Sequence, residues 1–223
     1  MNERLIQIKP HTLIINEIFH SIQGESSRMG CPCVFVRLTY CNIRCSYCDT
    51  EYAFYEGREM TIAGVMEIVR AYQCKLVEIT GGEPLFQTNV HELLKQLCDE
   101  GFEVLIETGG SLDISHIDSR VKRIIDFKCP SSNMTKMNLW DNVSHLKARD
   151  EVKFVIGNRD DYEWSKQMIF DHQLGQRCSI LMAVVFNGLE PVHLVEWILE
   201  DKLNVRFQLQ MHKYIWSPET KGV

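Results

Sequence analysis

Short runs of Val, Ile, Leu and Phe alternate with segments of helical periodicity along almost the whole chain, and this alternation limits the fold more than any other feature. Parallel strands covered on both faces read as near-continuous apolar runs, and each needs a crossover before the next. The runs are CVFVRLTY (Cys33 to Tyr40), LVEIT (Leu76 to Thr80), EVLIET (Glu103 to Thr108), RIIDFK (Arg123 to Lys128), EVKFVIG, SILMAVVF and NVRFQLQ. Between them, Ile62, Val65, Met66 and Val69 share one helical face behind Thr61, which is placed to cap it. A second helix ends near Glu100 with Gly101 as its stop signal, and a third runs through Leu139 to Leu146. A fourth contains Trp164, Met168 and Ile169, and Pro191 opens a fifth, VHLVEWIL.

Six or seven strand–helix steps, roughly 25–30 residues apart, match the size of a βαβ unit. A full eightfold barrel needs about 250 residues. A chain of 223 residues therefore predicts an α/β fold of mostly parallel strands, a partial (incomplete) β/α barrel, with residues 1–223 as one domain. The segment before Cys33, including NEIFHSIQGES, is expected to add a strand and a loop over one end. Strand carboxyl ends face one rim in barrels, and the motifs below are all expected there.

A formal net charge of −6 argues against a protein that grips a nucleic-acid backbone, so a small-molecule or protein substrate is expected and no nucleic acid. The opening MNERLIQIKPHTLI has no apolar stretch followed by a small-residue cleavage site, and no run of about 18 apolar residues occurs. The expectation is a cytoplasmic protein without a membrane partner. Nine cysteines in such a chain favour metal binding or catalysis over disulfides.

Three of those cysteines, Cys41, Cys45 and Cys48, form a C-x3-C-x2-C pattern in CNIRCSYCDT, on a loop after an expected strand. Soft thiolates select zinc, copper(I) or iron–sulfur clusters. Structural zinc wants a fourth ligand and usually a second paired knuckle, which the sequence lacks. A ferredoxin-type cluster needs a fourth cysteine, often before proline. Cys129-Pro130, Cys31 and Cys33 are candidates for that place, whereas Cys74, Cys98 and Cys178 lie in apolar contexts and read as packing residues. An iron–sulfur cluster on three cysteines, with one iron open, is the favoured reading over zinc and over inert core thiols. A second motif, ITGGEP (Ile79 to Pro84), directly follows a strand. Adjacent glycines let backbone approach a ligand closely, and Glu83 is able to accept from an ammonium group. On its own it reads more simply as a strand-ending turn.

Together the two motifs resemble the radical S-adenosylmethionine superfamily. The resemblance implies a 4Fe-4S cluster on Cys41, Cys45 and Cys48 whose open iron chelates S-adenosylmethionine, with Tyr47 near the adenine and Gly82 and Glu83 at the amino group. Reductive cleavage would then give a 5′-deoxyadenosyl radical. IETGG (Ile106 to Gly110) looks like the next cofactor-side strand end. Within the superfamily the chain resembles the 7-carboxy-7-deazaguanine synthase family nearly end to end, in NEIFHSIQGES, VFVRL, CDT, ITGGEP, DFKCPSS and QMHKYIW.

That family resemblance implies ring contraction of 6-carboxy-5,6,7,8-tetrahydropterin with loss of ammonia, Mg2+ as a further cofactor, a low-potential flavodoxin or ferredoxin as electron donor, and a homodimer. It assigns Thr50 to magnesium and Lys128, Pro130 and Ser131 to the cofactor. Ile22, Gln23, Gly24, Glu25, Arg37, Thr80 and His212 go to the substrate, with Arg37 offering a fork for its carboxylate. The terminal carboxylate of Val223 is a weaker candidate for a substrate contact. Ser26 departs from the family's usual QGEG, so the local turn is expected to differ. Two rivals differ in class: an activating enzyme for a glycyl-radical protein, with a broad partner groove, and a non-catalytic iron–sulfur or zinc protein.

Overall fold

The computed structural model describes residues 8–223, so part of the leader expectation lies outside the described residues. Among the described residues nine strands form one open sheet: β1 Thr12–Ile22, β2 Pro32–Leu38, β3 Arg58–Thr61, β4 Leu76–Gly81, β5 Glu103–Thr108, β6 Lys122–Asp126, β7 Glu151–Ile156, β8 Ser179–Val184 and β9 Arg206–Gln208. Their order is β3-β1-β2-β4-β5-β6-β7-β8-β9. Pairing is parallel from β2 onward, and β1 is antiparallel to both β2 and β3. The edges β3 and β9 do not pair, so the barrel is incomplete, as the step count implied.

Helices α1 Ile62–Ala71, α2 Val90–Asp99, α3 Arg159–Asp171 and α4 Pro191–Glu200 join parallel strands, and α5 His212–Ile215 follows β9. The Thr61 hydroxyl accepts from Gly64 N at 3.1 Å and starts α1, whose Ile62, Val65, Met66 and Val69 are buried. Gly101 ends the α2 turn at φ +77, where a side chain would be strained. Asn158 caps α3 by accepting from Asp161 N at 2.9 Å.

Outward-facing strand residues such as Val34, Val36, Val77, Ile79, Val104, Ile106, Ile125 and Phe154 pack with the helices in the main core. Phe19, Cys33, Phe35, Leu76, Leu105 and Ile124 form a second, smaller cluster on the other side of the sheet. Two residues further along each strand, on that same inner face, stand Arg37, Glu78, Glu107 and Asp126. The inner face thus carries an apolar band with a charged layer beyond it, toward the strand carboxyl ends.

Three sequence expectations are corrected. Leu139 to Leu146 does not form an α-helix; a 3-10 segment covers Trp140–His145. Asn142 is buried there, and its amide joins the β5–β6 loop through Ile114 N, Gly110 O and Leu112 O. β3 was not expected, because REMT is a mostly exposed edge strand without an apolar run. The segment after β1 is not at the rim with the other motifs. Ile22 pairs with Pro32, so the antiparallel β1 delivers its loop to the amino ends of the parallel strands. There Ser27 N donates to Glu151 at 3.1 Å, Lys122 Nζ donates to the Ser27 hydroxyl at 2.6 Å, and Arg28 pairs with Glu103. These partners are the first residues of β7, β6 and β5, so this loop is the floor of the barrel.

Candidate active site

Between floor and rim lies a cavity of about 530 Å³. Its wall brings together Ile22, Gln23, Gly24, Glu25, Arg37, Cys41, Cys45, Tyr47, Cys48, Thr50, Thr80, Gly82, Lys128, His212 and Val223. Most of the residues singled out in the sequence therefore share one space, although they come from six parts of the chain. Glu83, Pro130 and Ser131 are not in that wall.

The cysteine loop leaves β2 through Tyr40, at φ +78, and is tied down on several sides. Arg44 donates to the carbonyls of Cys41 at 2.8 Å and Ile43 at 2.7 Å, and lies over the Phe54 ring at 4.2 Å. Ser46 N donates to Ser132 O at 3.1 Å and the Ser46 hydroxyl to Ser131 O at 2.5 Å. Ser131 in turn donates through its N–H to Asp161 at 2.9 Å. Ser131 thus holds the cysteine loop against α3 from outside the cavity.

The two glycines of ITGGEP have a packing reason beside any ligand. A Cβ on Gly82 would run into the Tyr40 carbonyl and stand 2.7 Å from the Cys41 Cβ. Gly81, at φ +155, would meet the backbone of Leu38. Glu83 is fully buried, and its carboxylate accepts from the Thr108 hydroxyl (2.8 and 2.9 Å), Gly109 N (2.8 Å) and Leu85 N (3.1 Å). It staples the GGEP turn to the IETGG strand end through three donors, which leaves one of a carboxylate's four acceptor positions unused.

Burial pushes the Cys41 thiol up to about 12 and raises Cys45 and Cys48 as well. Unliganded, all three are protonated at neutral pH, and a bound cation must displace those protons. The three thiols are free and half-buried on one loop beside the cavity. Among the described residues no three His, Cys, Asp or Glu side chains converge on a single ion position.

The candidates for a fourth ligand fall away on geometry. Cys31 and Cys33 sit at the amino end of β2, a seven-residue strand of roughly 20 Å, while the cysteine loop leaves its carboxyl end. Cys129 is fully buried in the helix-side core, 3.4 Å from the Ser165 hydroxyl. Cys74, Cys98 and Cys178 pack against the cores, as their contexts indicated.

The inner charged layer was not recognised in the sequence. Lys153 Nζ contacts Glu25 at 2.8 Å, Glu107, and Asp126 at 3.5 Å. Burial works against the ammonium, but Glu107, Glu25 and Asp126 outweigh it and hold Lys153 well above the ordinary lysine range. Burial likewise raises Glu25, yet Lys153 and Gln210 bring it below the usual carboxylate value. At Glu78, Lys153 and Arg37 oppose the shift without reversing it: burial first, then Glu107 and Glu25, hold it well above that range, and the Gln23 amide donates to it. Lys128 Nζ pairs with Asp126 at 3.0 Å, while the second Asp126 oxygen is buried without a protein partner. An acid-rich wall with an unmet acceptor suits a ligand that carries positive charge and N–H or O–H donors.

The gap in the open sheet is filled by α5 and the tail. Met211 N donates to Gly24 O at 3.0 Å, and the His212 ring lies so close on Gly24 that a Cβ there would overlap it. Lys213 Nζ donates to Asp49 at 2.7 Å, so α5 bridges floor and cysteine loop. Burial lowers the His212 pKa, which favours the neutral ring at neutral pH. Arg37 is fixed by Glu17 at 2.8 Å and lies within 6 Å of the Phe19 and Tyr52 rings. The Thr50 hydroxyl donates to Asp49 at 2.9 Å. Ser26 adopts φ +59, a left-handed conformation that glycine takes more readily, and its hydroxyl accepts from Arg28 N at 3.1 Å.

An open barrel of parallel strands, with three free cysteines on the loop after the first parallel strand and a polar cavity beside them, defines the class: a radical S-adenosylmethionine protein. The model of the Radical SAM superfamily matches residues 36–190. The chain is 49% identical over 214 residues to the 7-carboxy-7-deazaguanine synthase of Chlorobaculum tepidum, covering 95% of this chain and 97% of that one. With the protein of the same name from Koribacter versatilis it shares 42% identity, covering 94% and 99%. QueE from Escherichia coli, a solved structure, has the same fold, with a TM-score of 0.76 at 21% identity over 90% of this chain and 95% of that one. The chain belongs to the 7-carboxy-7-deazaguanine synthase family of the radical S-adenosylmethionine enzymes. Membership brings with it a 4Fe-4S cluster and S-adenosylmethionine. The free, half-buried thiols and the acid-rich cavity beside them fit that pair.

Proposed function

We propose that the protein converts 6-carboxy-5,6,7,8-tetrahydropterin into 7-carboxy-7-deazaguanine, with loss of ammonia and dependence on Mg2+, acting as a single domain. The observation that carries this reading is the polar cavity next to the cysteine loop. Carboxylates Glu25, Glu78, Glu107 and Asp126 suit the nitrogen-rich edge of a pterin, and Arg37 suits its carboxylate. When bound beside that cavity, the cluster and S-adenosylmethionine would supply reductive cleavage and hydrogen-atom abstraction. Cys41, Cys45 and Cys48 would hold the cluster, with Tyr47, Gly82 and Lys128 along the cofactor and Glu83, Pro130 and Ser131 shaping its loops. Ile22, Gln23, Gly24, Glu25, Thr80 and His212 would surround the pterin.

Thr50 beside Asp49 offers the oxygen donors that a hard cation prefers, and supports magnesium at that corner of the cavity. Among the described residues no helix is long and apolar enough to cross a membrane. A cytoplasmic homodimer reduced by a low-potential flavodoxin or ferredoxin completes the reading, since such clusters work at strongly negative potentials. An activating enzyme for a glycyl-radical protein must admit a polypeptide loop. Here His212 and Lys213 of α5 and the tail residues Pro218, Glu219 and Val223 line the cavity, whose volume of about 530 Å³ suits a small molecule. Anaerobically reconstituted, reduced enzyme given the pterin, Mg2+ and S-adenosylmethionine should release ammonia and a deazaguanine in equal amounts. Cleavage of S-adenosylmethionine without any deazaguanine, from an intact cluster, overturns the reading.

A further inference from the structure

We propose that Lys153 is a positioning residue for substrate recognition: it latches the floor loop into the barrel by holding Glu25 in the cavity wall. The proposal rests on the function proposed above and extends it to a residue with no motif around it. Lys153 lies near the middle of β7 on the inner face, and its side chain is 6% exposed. It reaches Glu25 on the floor loop, Glu107 on β5 and Asp126 on β6. No other described cation lies within salt-bridge distance of Glu25 or Glu107.

The floor loop reaches the interior through two side chains. Gln23 donates to Glu78 on β4 and accepts from Glu25 N at 2.8 Å. Glu25 spans to Lys153, with Gln208 at 3.3 Å and Gln210 at 3.0 Å as further donors. Without the ammonium, Glu25 would face Glu107 and Asp126 across the cavity with only the Gln208 and Gln210 amides to hold it. Like charges in a dry space repel strongly, so the loop would withdraw toward solvent at the strand amino ends. Gly24 would go with it, along with the seat of His212. The cysteine loop is anchored separately, through Arg44 and Ser46, and does not depend on the latch.

This separation makes the proposal testable in reconstituted holoenzyme. Lys153→Met should raise KM for the pterin and lower kcat/KM at least about 100-fold. Iron content and the slow, substrate-free cleavage of S-adenosylmethionine should stay within about twofold of the parent. Lys153→Arg should recover part of the loss. Because Lys153 acts through Glu25, the double variant Glu25→Gln with Lys153→Met should be no worse than the more damaged single variant. If Lys153→Met loads no cluster, the same cycle run with Lys153→Arg carries the test. Losses that multiply in the double variant, an unchanged KM, or a parallel fall in substrate-free cleavage each overturn the latch. A parent enzyme that makes no deazaguanine would instead overturn the proposed function, which separates the two failures.

Discussion

Replacing Glu83 by glutamine tests whether the GGEP turn is held by its own carboxylate. One carboxylate oxygen accepts from Leu85 N at 3.1 Å and the other from Gly109 N at 2.8 Å, with the Thr108 hydroxyl shared between them. Glutamine keeps one acceptor and turns the other into an N–H donor, so one buried backbone N–H must face a donor. A buried donor without an acceptor costs about 1–3 kcal/mol. For a protein of this length each kcal/mol lowers Tm by roughly 2–4 °C, so a fall of roughly 2–12 °C is expected. The assay is a thermal melt of the protein without cluster, followed by calorimetry. Thr108→Val, which removes one hydroxyl and leaves both oxygens their backbone donors, should fall at the lower end of that range. A Glu83→Gln variant that melts within about 1 °C of the parent refutes the staple.

Further outcomes follow from the cavity. Glu78 is held above the ordinary carboxylate value by burial and its acidic neighbours, so the folded state keeps a proton that the unfolded chain releases. Stability from this group is present at low pH and is lost as pH rises from the unfolded value toward the folded one. Glu78→Gln should therefore melt increasingly above the parent between pH 5.5 and pH 8.5 (set points of roughly that spacing suffice); a difference that does not change with pH contradicts this. Gly24→Ala puts a methyl into the His212 ring, whose carbons already stand 3.1 and 3.3 Å from the position of that Cβ. Its kcat/KM should fall about 10- to 100-fold, and unchanged kinetics would show that the ring is free to move. Thr50→Ala should raise the Mg2+ concentration needed for half-maximal rate about tenfold; an identical magnesium titration places the ion elsewhere.

The parallel framework was legible because buried parallel strands and amphipathic helices leave different periods in the sequence, and Thr61 and Gly101 mark helix ends by local chemistry. The cysteine loop was legible because thiolates at that spacing have few other uses. What escaped was long-range. The antiparallel sense of β1 is set by pairing with Pro32–Leu38 and leaves no local signature, so the floor position of Gln23–Glu25 is not legible in the sequence. The inner charged layer did leave a signal: LVE, LIE, IID and EVK each set a charge on an apolar run, at Glu78, Glu107, Asp126 and Lys153. Reading those runs simply as core concealed that one face turns polar before the strand ends. Leu139, Val143 and Leu146 fall at helical spacing and so suggest an α-helix, although the segment Trp140–His145 is 3-10 and Asn142 is committed to the neighbouring loop.

The central claim is that this cavity sets the pterin where the S-adenosylmethionine chemistry takes hydrogen from its C6. Carboxytetrahydropterin deuterated at C6, turned over by the reconstituted enzyme, tests it directly. Mass spectrometry should find the deuterium in the adenosyl carbon of the cofactor or of 5′-deoxyadenosine, alongside the deazaguanine. Product formed with no deuterium in either nucleoside, or labelled nucleoside with the pterin skeleton intact, would contradict the account.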